Sequence, residues 1–228
     1  ISYSELPKAY DGIFGLSGSL KDLSESERNV LSYYKVHKRS YYPSFFGYSK
    51  LKFDTNKDFI IKNCKKDWFD SIVTHTRKTI AEHRSVLIFF ASEELLEEFF
   101  KSYSGDLGVV SFIITQNWTF DGESKKTYSD CDVNRLIKDG YAGQHGKVTL
   151  LTKEFGRGVD FQAEATVNEK GGMHVIQTFF SMNVQEETQI KGRTARKDEP
   201  GSYELVLCRE HLQEFALGVP PQLHNWEI

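Results

Sequence analysis

Two arginines near the C-terminus form the pattern with the clearest chemical meaning. The segment QIKGRTAR places Arg193 and Arg196 three residues apart, after Gln189 and Gly192. Residues three apart lie on one face of a helix, so the two guanidinium groups are expected to project side by side. A guanidinium group binds phosphate through two parallel hydrogen bonds and keeps its charge. The spacing therefore predicts a phosphate-binding pair, but a solvated basic helix face would show the same spacing.

A second pattern follows an apolar run. After Thr152 the sequence continues KEFGRGVD, which places Gly156, Arg157, Gly158 and Asp160 in one short turn. The glycines permit a close approach of the backbone to a phosphate or a neighbouring lobe, and the aspartate can accept from a ribose hydroxyl or orient an arginine. Open α/β sheets bind ligands at the carboxyl ends of their strands, so the position favours a ligand site.

The parts that hold Mg-ATP are missing from the sequence. No G-x-x-x-x-G-K-[ST] loop occurs, because Gly146-Lys147 is followed by Val148 and Tyr141 stands where the first glycine should be. No acidic pair follows an apolar strand as a magnesium ligand would. We expect these groups upstream of Ile1, in a longer protein from which this chain is a piece, and we expect negligible ATP turnover by the chain alone.

The patterning predicts the elements that position these residues. Short apolar runs alternate with helical periodicity, as in a parallel α/β sheet. Strands are predicted at residues 86–91, 109–114, 147–152, 174–179 and 202–208. Helices are predicted after Ser24, from residue 65, after Ser92, at residues 132–138 and after Asn183, the last one carrying both arginines. Ser24 with Glu27 and Asn183 with Glu186 form predicted capping boxes.

Composition narrows the function classes. The chain has 228 residues and a net charge of −3, which gives no support to a strongly basic nucleic-acid-binding domain. Three scattered cysteines argue against a disulfide framework or a zinc site. His145 and His174 lack partners at metal-ligand spacing, so no metal site is predicted and His174 is interpreted as a strand residue. No apolar run approaches the ~20 residues of a membrane span.

Two further side-chain groups have competing interpretations. The aromatic residues of the 41–48 segment are flanked by Lys38, Arg39 and Lys50 and could stack on nucleic-acid bases. A lobe-bridging or core role is favoured for these five residues: Tyr41, Tyr42, Phe45, Phe46 and Tyr48. The acid pairs Glu93-Glu94 and Glu97-Glu98 lie opposite an apolar helix face and are interpreted as a solvated surface.

Residues 149–207 resemble the second motor lobe of SecA, the bacterial preprotein translocase ATPase. The matching stretches are LLTKEFGRGVDF, GGMHVIQT and QIKGRTARKDEPGSYELVL. In helicase terms the first is similar to motif V and the last to motif VI. AYDGIFGLSGSL is similar to the SecA segment with motif III, and SVLIFFAS stands in the place of motif IV. Residues 1–58 thus resemble the tail of the first lobe, with motif III, and the segment that crosses between the lobes. Residues 59–228 resemble the second lobe.

The resemblance implies a fold and a site. The fold is an α/β, RecA-like (P-loop NTPase-type) domain with a mostly parallel central sheet flanked by helices in three layers. Arg193 and Arg196 would contact phosphates of ATP bound with Mg²⁺ mainly by the first lobe, Arg196 as an arginine finger. The remaining implied residues position the arginine segment (Gln189, Gly192), sense the nucleotide (Gly156, Arg157, Gly158, Asp160) and transmit the hydrolysis state (Ser17, Gly18, Ser19).

The resemblance also implies partners. These are the first lobe of the same chain, a polypeptide substrate and a membrane translocon, in a cytoplasmic protein that can lie at a membrane surface. Val159 replaces the threonine of the family's GRGTD pattern, and Ala195 replaces a glycine of GRSGR. Two alternatives stay open: an RNA or DNA helicase lobe that shares motifs V and VI, and a degenerate lobe used as an interaction module.

Overall fold

The computed structural model describes residues 4–16, 23–43, 45–105, 107, 112–138 and 141–212. Its first elements are a 3-10 turn at Leu6–Ala9 and helix α1 at Glu25–Tyr33. Helix α1 begins with the predicted capping box: the Ser24 N–H donates to Glu27 Oε2 at 2.8 Å, and the Glu27 N–H donates to Ser24 Oγ at 3.3 Å. The predicted motif III residues Ser17, Gly18 and Ser19 lie outside the described residues.

A nine-stranded sheet forms the centre of the protein. Its strands are β1 (Lys50–Lys52), β2 (Phe59–Lys62), β3 (Val86–Phe90), β4 (Phe112–Ile114), β5 (Trp118–Phe120), β6 (Lys125–Thr127), β7 (Val148–Thr152), β8 (His174–Gln177) and β9 (Pro200–Cys208). They lie in the order β1-β9-β8-β3-β7-β4-β5-β6, with β2 also paired to β9. All pairs are parallel except β4–β5 and β5–β6.

Helices cover both faces of this sheet. Helices α2 (Lys65–Ala81) and α3 (Glu93–Tyr103) pack on one face, around a buried cluster that includes Trp68, Phe99 and Leu150. Helices α4 (Asp130–Lys138), α5 (Ala165–Glu169) and α6 (Val184–Lys191) pack on the other, around a cluster that includes Leu136, Val167 and Ile190. The predicted RecA-like class, with a mostly parallel sheet between two helical layers, is confirmed.

Most predicted elements are found within two residues of their expected bounds. Helix α2 is predicted from the helical spacing of Trp68, Phe69, Ile72, Val73 and Ile80, and it buries the first four of them. Ser92 caps α3 by accepting from the Leu95 N–H at 3.4 Å. The beginning of the predicted 109–114 strand lies outside the described residues. The capping box at Asn183 is wrong: its side chain accepts from the Gln185 N–H at 2.7 Å, one position earlier than a capping box requires.

Strand β9 forms the junction with the N-terminal part of the chain. Strand β1 pairs with its beginning, Lys50 opposite Pro200, and β2 pairs with its end, Lys62 opposite Cys208. The sheet therefore includes three residues of the segment predicted to cross between lobes. The five aromatic side chains of the 41–48 segment are exposed, so their predicted core role is wrong, and a lobe-bridging role stays a prediction.

Candidate phosphate-binding site

The two arginines lie in a turn rather than on a helix. Helix α6 ends at Lys191, and Gly192 is its C-cap, with its N–H donating to the Thr188 carbonyl at 3.0 Å. Arg193 and Arg196 follow in irregular backbone, so the predicted common helix face is wrong. The chain leaves the helical path because buried Thr194 donates to the Met173 carbonyl at 2.7 Å, which anchors the segment to the beginning of β8.

Ala195 has an unusual backbone conformation. Its φ is +53°, in the left-handed region that residues with a Cβ rarely adopt. The family pattern to which the segment was compared has a glycine at this position, which would adopt the conformation without steric cost. The conformation nevertheless persists because Thr194 on one side and strand β9 on the other hold the turn in place.

The predicted glycine turn lies directly after β7. A 3-10 turn at Lys153–Gly156 carries the backbone away from the sheet, and Gly156 packs against α6. A Cβ on Gly156 would stand 2.7 Å from Ile190 Cγ1, so only glycine fits there. Gly158 has open space around it but a φ of +71°, so it serves the turn through its backbone conformation.

These two segments meet through the arginines. The Arg193 side chain donates to the Val159 carbonyl, and its Nε donates to the Gln189 carbonyl at 3.0 Å. Arg196 Nη1 lies 2.5 Å from Asp160 Oδ1 in an ion pair whose side chains are 39% and 42% exposed. Lys197 Nζ lies 3.9 Å from the other carboxylate oxygen of Asp160. The structure thus brings four of the predicted residues together: Gln189, Arg193, Arg196 and Asp160.

The electrostatics of this cluster favour an anion. Burial lowers the pKa of Arg193 from its ordinary value, the neighbouring Arg196 lowers it further, and Asp160 opposes both effects. A lowered pKa means that the positive charge of Arg193 is poorly stabilised by its surroundings. The Asp160 carboxylate faces Arg193, Arg196 and Lys197, so a phosphate would find uncompensated positive charge there.

The two segments also contain Arg157, Gly192 and the side chain of Gln189, whose backbone carbonyl accepts from Arg193. Arg157 is exposed in the glycine turn. Gln189 is half-buried, and its Oε1 has no hydrogen-bond partner among the residues that the structure describes. Gly192 ends α6 and so sets where Arg193 leaves the helix. Each lies in one of the two segments, but their individual roles remain predictions.

Sequence reasoning missed two residues of this cluster. Thr194 anchors the turn through its buried hydroxyl, and Lys197 approaches Asp160. A threonine between two arginines has no distinctive spacing, so the sequence contained no signal for the anchor. Lys197 follows Arg196 directly, and the pattern that singled out the arginines offered no reason to include it.

The acid pairs of α3 are also placed differently from the prediction. Glu93 is half-buried, and its carboxylate accepts from Trp118 Nε1 at 2.5 Å and from Asn117 Nδ2 at 2.7 Å. Glu97 is half-buried and pairs with Lys125 at 2.9 Å and Lys101 at 3.1 Å. The interpretation as one solvated surface is therefore wrong for these two residues, because strands β5 and β6 lie beside them.

The described part of the chain was predicted to hold neither a metal site nor a membrane span. Within residues 4–212, apart from the gaps given above, no group of three or more histidine, cysteine, aspartate or glutamate side chains could hold a metal ion. No helix in that part is both long enough and apolar enough to cross a membrane. His174 lies in β8, as predicted.

Several curated proteins that are similar to this chain are protein translocase subunits. The chain is 28% identical over 177 residues to SecA 2 of Nitrosospira multiformis, a match that covers 73% of this chain and 24% of that protein. It is 42% identical over 77 residues to SecA 2 of Bacillus thuringiensis, covering 33% and 10%. It is 37% identical over 99 residues to SecA 3 of Magnetococcus marinus, covering 42% and 15%. No model of a known protein family matches the chain.

One solved structure is similar to part of the chain. It is the second domain of the DEAD-box helicase Mss116p bound to an RNA duplex, with a TM-score of 0.48, 19% identity and coverage of 68% of this chain and 54% of that one. The resemblance to SecA predicted from the motifs is confirmed by the curated relatives, so part of this chain is similar to part of the SecA proteins. It spans about a quarter of the length of the first relative, since the match covers 24% of that protein.

Proposed function

We propose that this chain is the second nucleotide-clamping lobe of a SecA-like ATPase and that Arg196 is its arginine finger. The observation that supports this most strongly is the contact between Arg196 and Asp160, which joins the motif VI-like segment to the motif V-like turn. The two stretches that carry the resemblance are 36 residues apart at these positions and meet in one cluster. If the arginines only formed a solvated basic surface, this contact between the two segments would not be needed.

The cluster fits a nucleotide phosphate by the chemistry of its donors. Arg196 is partly exposed and has one ion-pair partner that a phosphate could replace, so it is the group able to reach across a cleft. Arg193 is held by two backbone carbonyls, and it contributes charge while it fixes the path of the turn. ATP with Mg²⁺, bound mainly by the first lobe, would supply the phosphate whose developing negative charge such a donor stabilises.

Asp160 has a different role in this proposal. It orients Arg196 while no phosphate is near, and it competes with phosphate for the same guanidinium group. Because Asp160 follows the glycine turn and Gly156 packs on α6, a change at the arginine can be passed to β7 and to the sheet. The turn would thereby couple the nucleotide state to the position of the lobe.

The substrate is proposed from the relatives alone. The similar proteins are named translocase subunits, so we infer that the whole protein moves polypeptide and works with a membrane translocon, in the cytoplasm or at a membrane surface. An RNA or DNA helicase and a degenerate, non-catalytic lobe are the outcomes against which this proposal is tested.

The test joins this chain to a SecA-like first lobe that carries the nucleotide loop. ATP hydrolysis is measured with unfolded polypeptide plus membranes and, separately, with single-stranded RNA. Arg196→Ala should lower kcat by about 10²-fold or more, in the range of arginine-finger effects. Arg135→Ala, which removes an exposed arginine of α4, is the matched control and should leave kcat unchanged.

Three results would contradict the proposal. Stimulation by RNA alone would favour the helicase, and an unchanged rate in Arg196→Ala would remove the finger assignment. A two-lobed protein that binds ATP but does not hydrolyse it, with or without polypeptide, would favour the degenerate lobe.

A further inference from the structure

A cavity of about 430 Å³ lies at the carboxyl ends of β3, β4 and β7, on the side of the sheet that α3 covers. Parallel α/β sheets commonly bind ligands at this edge, outside the carboxyl ends of the strands. The first turns of α3 and the 3-10 turn after β7 form its walls. The cavity is separate from the arginine cluster, because none of the arginine-cluster residues lines it.

Its charged walls are mostly acidic. Lys153 is the single basic residue that lines the cavity. The four carboxylates that line it belong to Glu93, Glu94, Glu97 and Glu154. Glu93 and Glu97 are already satisfied by the N–H groups and lysines described above. Glu94 and Glu154 are exposed, and neither forms an ion pair with a described residue. Hydrogen bonds from the Ser92 side chain and the Glu94 backbone lower the pKa of the Glu94 carboxyl group, which keeps it ionised. With four carboxylates and one lysine, the cavity presents net negative charge to solvent.

Thr152 adds an independent observation. It is 3% exposed and lines the cavity, yet its Oγ1 has no hydrogen-bond partner among the described residues. Alternation along β7 puts Thr152 on the same face as Leu150, which packs in the cluster beneath α3. A buried hydroxyl without a partner is destabilising, so a partner is expected from whatever enters the cavity.

We propose that this cavity binds a lysine or arginine side chain of an extended polypeptide. A cationic side chain supplies hydrogen-bond donors to Thr152 Oγ1 and positive charge to Glu94 and Glu154. A nucleic-acid strand would bring its phosphates against these carboxylates, which is unfavourable. A metal ion is disfavoured as well, since these carboxylates do not form a metal-ligand group in the described part of the chain.

This inference rests on the proposed function only for its choice of polypeptide as the ligand. It adds a contact point on this lobe that distinguishes basic from acidic segments of a substrate. The contact needs no nucleotide and no first lobe, so it can be measured by equilibrium binding to the 228-residue chain itself.

The experiment measures fluorescence anisotropy of a labelled, unstructured peptide in which lysine and arginine alternate with glycine and serine. The matched probes are the same peptide with glutamate at the basic positions and a single-stranded RNA of similar length. The double variant Glu94→Gln/Glu154→Gln should weaken binding of the basic peptide by about tenfold, as expected for two exposed charge pairs. The control Glu98→Gln/Glu169→Gln removes two exposed carboxylates that do not line the cavity and should leave affinity unchanged.

Thr152→Val tests the buried hydroxyl. The substitution keeps the shape of the side chain. It should weaken binding of the basic peptide by about fivefold or more, because a hydrogen bond to a charged group is lost. Thr152→Ser keeps the hydroxyl and should retain affinity, which separates loss of binding from altered folding. The free energy of unfolding of Thr152→Val should not fall, since the hydroxyl has no partner in the unbound chain.

Equal affinity in the double variant and its control would overturn the proposal, as would tighter binding of RNA than of the basic peptide. Failure of the proposed function has a different signature. In that case Arg196→Ala leaves ATP hydrolysis unchanged while the basic peptide still binds through Glu94 and Glu154.

Discussion

Gly156 lies against Ile190 so closely that a Cβ on the glycine would stand 2.7 Å from Ile190 Cγ1. Ile190 is fully buried on α6, and Gly156 ends the 3-10 turn that follows β7. The contact joins the glycine turn to the helix that leads into Arg193. Movement of either element therefore requires movement of the other.

Gly156→Ala should destabilise the chain by about 1–3 kcal/mol, because the added methyl group has no space. Urea unfolding followed by circular dichroism measures the change. In an Ile190→Ala background the same substitution should cost much less, since the clashing Cγ1 is gone. Equal costs in both backgrounds would show that the glycine is required for another reason.

Ala195→Gly should stabilise the chain by about 1 kcal/mol, because glycine adopts the left-handed conformation without the steric cost that alanine bears. The midpoint of urea unfolding should rise. Ala165→Gly, in α5, is the control and should give no gain, since its backbone is helical. A loss of stability in Ala195→Gly would mean that the alanine methyl group packs favourably enough to outweigh its backbone strain.

Asp160→Asn should increase the affinity of the chain for pyrophosphate, because Arg196 loses the carboxylate that competes for it. The increase in melting temperature caused by pyrophosphate should be larger than in the unaltered chain. The ion pair is half-exposed, so its removal alone should cost under about 1 kcal/mol. In Asp160→Asn/Arg196→Ala the gain should vanish; a gain that persists would assign anion binding to other groups.

Glu204 should make stability depend on acid pH. Burial alone would raise its pKa, but the nearby His174 and His75 outweigh this effect, and the pKa is lowered to about 2. His75 Nδ1 and His174 Nε2 lie 2.7 and 3.4 Å from Glu204 Oε2. A lowered folded-state pKa stabilises the protein above the unfolded-state value of 4.5, and this contribution is lost as pH falls towards 2.

Urea midpoints measured between about pH 2 and 6 should therefore fall less steeply for Glu204→Gln than for the unaltered chain. Glu98→Gln, an exposed substitution on α3, should keep the original slope. Parallel slopes for Glu204→Gln and the unaltered chain would show that other groups carry the acid sensitivity.

The long, regularly patterned elements could be predicted from the sequence. Helix α2 repeats its apolar residues at helical spacing, and β3 and β7 are apolar runs of strand length. The strands β1, β5 and β6 could not be predicted, because each has three residues and gains its structure from its neighbours. The three exposed residues of β6 show no alternation at all.

The candidate site, too, could be predicted where it depends on residue types and could not where it depends on tertiary contacts. The residue types of the arginine segment and glycine turn predicted that both were functional, and the structure brings them together. The helical geometry of the arginine pair was wrong because it depends on two tertiary features: the buried bond of Thr194 and the left-handed backbone of Ala195. The acid pairs of α3 were misinterpreted for a similar reason, since the indole that binds Glu93 comes from β5, a strand that was not predicted.

The pairing of β9 with both β1 and β2 has a mechanical consequence. Both short strands run parallel to β9, so tension between the chain before residue 50 and the end of β9 acts along the strands. Under such shear, the hydrogen bonds of a pair bear the load together instead of opening one at a time. The N-terminal connection is thereby attached at two places along the same strand, and its first attachment, at Pro200, directly follows the arginine turn. This register connects the N-terminal part of the chain to the strand that begins four residues after Arg196.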